Sequence, residues 1–184
     1  MPNLDPRTEQ FLALIRTAEL PALGPEVRSG VKDPTHLLPE VDTFCRDHAI
    51  TGQQRQLLRS GALLWHDALD ESHEISQSIK TTDGSYLHGI MHRREPDDSN
   101  AKYWFRLVGT HRSFPSLATA VATLDNSPGD RLSSKLTASG SWDPFAFVDA
   151  CSRNRQRHGS DDYRLLQSIQ ELELATLLDT ILTA

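Results

Sequence analysis

Apolar residues along this chain recur at helical spacing in nearly every segment that carries them, and few stretches alternate at strand spacing. Asp5-Pro6 opens a helix with proline at its first position. Phe11, Leu12, Ile15 and Leu20 follow before Pro21, which predicts a helix over 6–19. The proline- and glycine-rich stretch PALGPEVRSGVKDP, 21–34, reads as an extended connection, and LLPEVDTFCRDHA then places Val41, Phe44 and Cys45 on one side of a short helix. Thr51 is placed to cap the longest periodic segment, in which Leu58, Leu64, Trp65, Ala68, Ser72, Ile75 and Ile79 share one arc, so a single helix is expected over 51–79. Lys80 to Ser85 reads as a turn, with a β-hairpin about Asp83-Gly84 as the competing reading, and Tyr86 to Glu95 as a helix stopped by Pro96. Asp97 or Ser99 caps a helix through NAKYWFRLVG that ends at Gly109, and Phe114-Pro115 opens a weaker one through Leu117, Val121 and Leu124. The polar tract from Asp125 to Gly140 reads as loop. Ser141-Trp142-Asp143-Pro144 starts a helix through Val148, and Ser160 caps a last one carrying Leu165, Leu166, Ile169, Leu172 and Leu177. The expected fold is all-α, a single-domain bundle of about seven to eight helices.

Bulk properties narrow the setting. A chain of 184 residues suits one domain that buries about 70% of its unfolded surface. A formal charge of −6 opposes a general nucleic-acid or anionic-membrane surface, since phosphate binding requires a basic field. Cys45 and Cys151 are the only cysteines, so neither a disulfide framework nor a CxxC metal knuckle is present and a cytoplasmic setting is expected. The N-terminal stretch shows no long apolar run of the export type, and no segment approaches the roughly 20 apolar residues of a membrane span.

The candidate chemistry is concentrated between Trp65 and His111, which hold five of the eight histidines and two of the three tryptophans. With His66 at the origin of a helical wheel, Asp70, His73 and Gln77 fall at about 40°, −20° and 20°, taking about 100° per residue. On the next helix His92 and Glu95 lie within about 40° of His88 by the same rule. If the two helices pack side by side, both polar rows face one crevice. Imidazole and carboxylate ligate Zn, Fe and Mn, and Asp70-x-x-His73 and His92-x-x-Glu95 have the three-residue offset of helical metal sites, which makes His73, His88, His92, Asp70 and Glu95 the candidate ligands of a divalent metal. The pattern is neither HExxH nor a paired ExxH di-iron set. Without a metal, His66, Asp70, His73, His88 and His92 suit general acid/base work. Gln77, Arg93, Arg94, Asn100 and Lys102 are the candidate contacts to a polar or anionic small-molecule substrate, Tyr103 and Trp104 to a planar ring. The competing reading for each histidine is a hydrogen-bonded residue at a buried helix border, and for the arginines solvated pairing with Glu95, Asp97 and Asp98. The tryptophans are expected in the core. Ser72, Ser76 and Ser78 lie on a helix rather than a G-x-S-x-G elbow, the cysteines are expected to be buried and structural, and no G-x-G-x-x-G or P-loop is present.

The segments WHDALDESHEISQSI, GSYLHGIMHRREPDDSNAKYWFRLVGTH and SWDPFAFVDAC resemble a family of uncharacterised bacterial and fungal proteins. The resemblance is dense from about Leu63 to His111, returns at Trp142 to Cys151, and is faint in the N-terminal part and from Asp125 to Gly140. Leu87 stands where the family pattern has an aromatic residue. The family has no established reaction, so the resemblance implies no activity, cofactor or site residue. The functional expectation is therefore an enzyme acting on a small polar or anionic metabolite in a His/Asp pocket, with or without a metal. Its alternative is a non-catalytic ligand-binding or homodimerising protein whose histidine row is structural.

Overall fold

A computed structural model describes residues 4–124, 132–137 and 140–184. Among these the chain is all-helical, with ten helices: α1 (Pro6–Ile15), α2 (Pro34–Asp47), α3 (Gly52–Trp65), α4 (Leu69–Ser76), α5 (Thr82–Arg94), α6 (Asp98–Val108), α7 (Phe114–Leu124), α8 (Leu132–Leu136), α9 (Pro144–Asn154) and α10 (Asp161–Leu182). No described helix is long and apolar enough to cross a membrane.

Most starts follow from local capping. Asp5, Asp33 and Asp143 each precede a proline at the first helical position and accept a hydrogen bond from a first-turn backbone N–H, satisfying donors that a helix start leaves free. Asp97 caps α6 through the Asn100 N–H at 3.0 Å, and Ser160 caps α10 through that of Tyr163 at 3.1 Å. Gly109, at φ 60°, ends α6.

The expectation of seven to eight helices falls short at two places. The segment expected as one helix over 51–79 breaks after Trp65, where Asp67 takes the left-handed conformation at φ 62°. Groups remote in sequence hold that break. The Arg28 backbone N–H and Nε donate to Asp67 Oδ2 at 2.9 and 2.8 Å, and Arg94 Nη2 donates to Oδ1 at 2.7 Å. The same guanidinium groups serve the end of α3, Arg94 donating to the Leu64 carbonyl at 2.5 Å and Arg28 to that of Trp65. The second difference is α8, inside the tract expected as loop; 125–131 and 138–139 of that tract lie outside the described residues.

Smaller differences have similar causes. Helix α1 stops at Ile15 rather than 19, because the Thr17 hydroxyl is held by Trp65 Nε1 at 3.1 Å, by Arg28 Nη1 at 2.9 Å and by its own bond to the Glu19 carbonyl. Helix α5 begins at Thr82 instead of following a turn or a hairpin. Gly84 in its first turn is a close-packing glycine, since a Cβ there would come 2.5 Å from the Ile79 carbonyl oxygen.

The buried apolar side chains form one contiguous cluster that draws on α1 to α10. Helix α5 runs through it, with every residue from Gly84 to Arg94 buried, and α6 packs closely against it. A Cβ on Gly89 would lie 3.1 Å from the Phe105 ring of α6, tighter than ordinary contact, so a residue without a side chain sets the distance between these two helices.

A three-histidine cluster between α4, α5 and α6

Helix α5 contributes two imidazoles one turn apart on the same side, and α4 brings a third against them. His88 Nε2 and His92 Nε2 lie 2.9 Å apart. The His73 ring stands edge-on to both, at centroid distances of 4.7 and 5.4 Å, and one nitrogen from each of the three falls within 4.8 Å of the others. His88 and His92 are buried, whereas His73 is half-buried, so the cluster sits at the rim of the core with one member toward solvent.

The outer nitrogens have their own neighbours. His92 Nδ1 is 2.9 Å from Glu95 Oε2, and Asn100 Nδ2 is 3.1 Å from His92 Nε2. His88 Nδ1 makes no hydrogen bond, although the Ser76 carbonyl lies beside it. Trp104 on α6 covers the His88 ring face to face, with centroids 3.9 Å apart and planes 16° apart. Burial first, and the neighbouring imidazoles of His92 and His73 next, push the His88 pKa down to about 3. Burial also lowers that of His92, against the opposing pull of Glu95. These two rings are neutral at physiological pH, the form that ligates a metal.

Not all the expected residues reach this cluster. His66 would have shared its row on a continuous helix, but the break at Asp67 separates them. Its Nδ1 accepts the Lys32 backbone N–H at 2.9 Å, and burial, then Lys32 and Arg28, push its pKa down to about 4. Asp70, on the first turn of α4, and Gln77, at its C-cap, are exposed and outside the set of mutually close ligand atoms. Glu95 touches His92 from behind, as a carboxylate that orients a histidine rather than as a member of the set. Of the expected substrate contacts only Asn100 adjoins the cluster; Lys102 pairs with Asp149 at 2.5 Å.

Arg93 and Arg94 are neither solvated nor aimed at a ligand site. Arg93 is fully buried and makes two bonds to Glu173, at 3.1 and 2.6 Å, with its guanidinium carbon 4.3 Å above the Phe147 ring. Arg94 is spent on Asp67 and the Leu64 and Gly24 carbonyls. The partner of Arg93 left only a weak trace in the sequence, an acid between Leu172 and Leu174 of α10 with Glu171 two places before it.

The fifth histidine of the segment has another role. His111 Nε2 is 2.9 Å from Asp83 Oδ1, and its Nδ1 is 2.7 Å from Ser113 Oγ. The order Asp, His, Ser is that of a hydrolytic triad, but Ser113 is 1% exposed, out of reach of a substrate, and the chain fixes the start of α7 to that of α5. Cys45 and Cys151 are buried free thiols, pushed by burial up to about 11 and about 12.

Compared with protein-family models, with curated proteins and with solved structures, the chain finds no match in any of the three.

Proposed function

We propose that the chain is a metal-dependent enzyme in which His73, His88 and His92 hold a divalent transition metal that activates water against a small polar or anionic metabolite. The observation that carries this reading is the 2.9 Å contact between two Nε2 atoms. His92 Nδ1 faces the Glu95 carboxylate and must carry a hydrogen, which leaves its Nε2 a lone pair, with the Asn100 amide nitrogen 3.1 Å away, when the ring is neutral. If His88 also turns its N–H toward the Ser76 carbonyl, two lone pairs oppose each other at 2.9 Å. If it instead donates from Nε2, its buried Nδ1 has no hydrogen to offer that carbonyl. The neutral arrangement that makes the 2.9 Å contact a hydrogen bond leaves the buried His88 Nδ1 without a partner. A cation at the two Nε2 atoms, taking the place of the Asn100 amide at His92, would use both lone pairs and keep the His92 Nδ1–H on Glu95, the usual support for a metal-bound histidine.

The spacing agrees with this. With metal–nitrogen bonds of about 2.1 Å, nitrogens 2.9 Å apart subtend an angle of about 90° at the ion. His73, whose nitrogen lies within 4.8 Å of the others, must draw in by about 1 to 2 Å, because bonds of about 2.1 Å at ordinary angles of about 90 to 110° put two ligand nitrogens about 3.0 to 3.4 Å apart. An all-imidazole set favours Zn or Fe over Mn and leaves positions for water and substrate. With Arg93 and Arg94 paired inside the core and Lys102 tied to Asp149, binding of the anion falls to the metal and Asn100.

The test is metal content by inductively coupled plasma mass spectrometry on protein purified without a histidine tag, before and after reloading with Zn, Fe or Mn, beside His73→Ala and His88→Ala. One equivalent in the parent, absent from both variants, is expected. A parent that takes up no metal after reloading, or variants that retain it, would overturn the reading.

One observation favours the non-catalytic alternative. Tyr103 and Leu107, one turn apart on α6, are each 51% exposed, an apolar pair near the cluster that suits a second copy of the chain. Light scattering over a concentration series, with Tyr103→Asp beside the parent, distinguishes the two. A dimer broken by the substitution, with no metal bound, supports an interaction protein.

A further inference from the structure

The packing of Trp104 is not what the core requires. Its side chain is only half-buried, yet it lies parallel on His88 at 3.9 Å and 16°, while Tyr103 meets its other surroundings edge-on at 5.6 Å and 84°. The other ring contacts of His73 with the cluster are likewise edge-on, at 74° and 79°. Aromatic pairs gain most from offset or edge contacts, and a face-on arrangement gains when one ring is electron-poor. A neutral imidazole is not electron-poor. An imidazole with a metal on Nε2 is, because the metal withdraws density from the ring as a proton would.

Three features place the indole there. Asp97 fixes where α6 begins, Gly89 lets α6 come close to α5, and the His88 ring offers it a face while its Nε2 meets that of His92 at 2.9 Å. His92 is oriented by Glu95 through a hydrogen bond at Nδ1. His88, whose Nδ1 makes no hydrogen bond, has a flat surface in place of such a partner.

We infer that Trp104 is a positioning residue of the metal site: its indole holds the plane of the His88 imidazole so that Nε2 meets the ion, and stabilises the charge that the ring acquires on ligation. This rests on the three-histidine metal reading above.

The experiment is a cobalt(II) titration followed by visible d–d absorption, on the parent, Trp104→Phe and Trp104→Leu, each checked for its fold by circular dichroism and unfolding midpoint. The leucine variant keeps the apolar bulk but not the flat face. It should bind cobalt about 10- to 100-fold more weakly, the range for residues that orient a metal-bound histidine, with shifted bands. The phenylalanine variant should restore the parental bands and most of the affinity. Parental affinity and bands in the leucine variant overturn the inference. So do equal losses in both variants with unshifted bands, which would mark bulk packing alone. Should the leucine variant not fold, Trp104→Met against Trp104→Phe carries the same contrast. A parent that binds no cobalt removes the metal site itself, a failure distinguishable because it does not depend on residue 104.

Discussion

His92, Arg93 and Arg94 are consecutive on α5 and all buried, yet the two sides of the helix they serve are built on opposite principles. On one side each cation meets a carboxylate within the core, Arg93 with Glu173 and Arg94 with Asp67, which it shares with Arg28. On the other, neutral imidazoles crowd together, and the nearest acid reaches only the outer edge of one of them. Buried ion pairs are costly to assemble and more costly to break singly, so the arginine side behaves as a lock. On the histidine side no carboxylate anchors His88, whose Nδ1 makes no hydrogen bond. Buried polar groups of the first kind hold an architecture, and those of the second kind carry the proposed metal site.

Breaking the lock should give the largest effect. Arg93→Ala, which leaves Glu173 charged and unpaired, should cost about 3 to 5 kcal/mol in denaturant unfolding, and Asp67→Ala a comparable amount. His88→Ala should change stability far less in the absence of metal. If His88→Ala proves as damaging as Arg93→Ala, the distinction between the two sides fails.

The next largest effect separates the sides by pH. His88 and His66 titrate at about 3 and about 4 in the folded protein, below the roughly 6.5 of an unfolded histidine. Because the folded values are the lower ones, the unfolded chain takes up protons first. The stability held by these neutral rings is complete above about pH 6.5 and is lost as pH falls from there toward about 3, at up to about 1.4 kcal/mol per pH unit for each ring. The arginine pairs contribute no slope from their guanidinium groups in this window. Denaturant midpoints between about pH 7.5 and about 4.5 should therefore fall, and fall less steeply in His88→Gln.

Metal should then strengthen the histidine side alone. Zinc at about 100 times its dissociation constant should stabilise the parent by about 2.7 kcal/mol and His73→Ala hardly at all, read as the shift in unfolding midpoint. The smallest expected effect lies between the two regions. Asp97→Ala removes the cap of α6, which carries Asn100 and Trp104, and should cost about 1 kcal/mol by the same measurement.

What could be read from the residues in advance was whatever local chemistry decides. The Asp-Pro openings at 5 and 143, the Ser160 cap, the Asp97 cap and the Gly109 stop are matters of a few neighbouring atoms, and the spacing of His88 and His92 is fixed once α5 is a helix. The break at Asp67 was not legible. The apolar arc continues unbroken through it, and the arginines that hold it come from positions 28 and 94. His66 was consequently placed in a row it never joins, while His73, on the far side of the break, reaches the cluster by the packing of α4 on α5. The direction of Arg93 depended on a residue 80 positions away, and Glu171 beside it in sequence gave no sign of which acid would be the partner. Trp104 was read as a contact to a planar ring or as core, and that it covers His88 while half-buried was not legible, since its partner lies on another helix.

Gly89 sits between the two histidines of α5 and faces the helix that bears Trp104 and Asn100. It works as a spacer of zero thickness: every part of the site on α6 is gauged from the distance it permits. A methyl group at this position would not touch a ligand, yet it would shift the indole and the amide outward together by a few tenths of an ångström. The tolerance of the whole assembly is thus set by a residue with no side chain of its own.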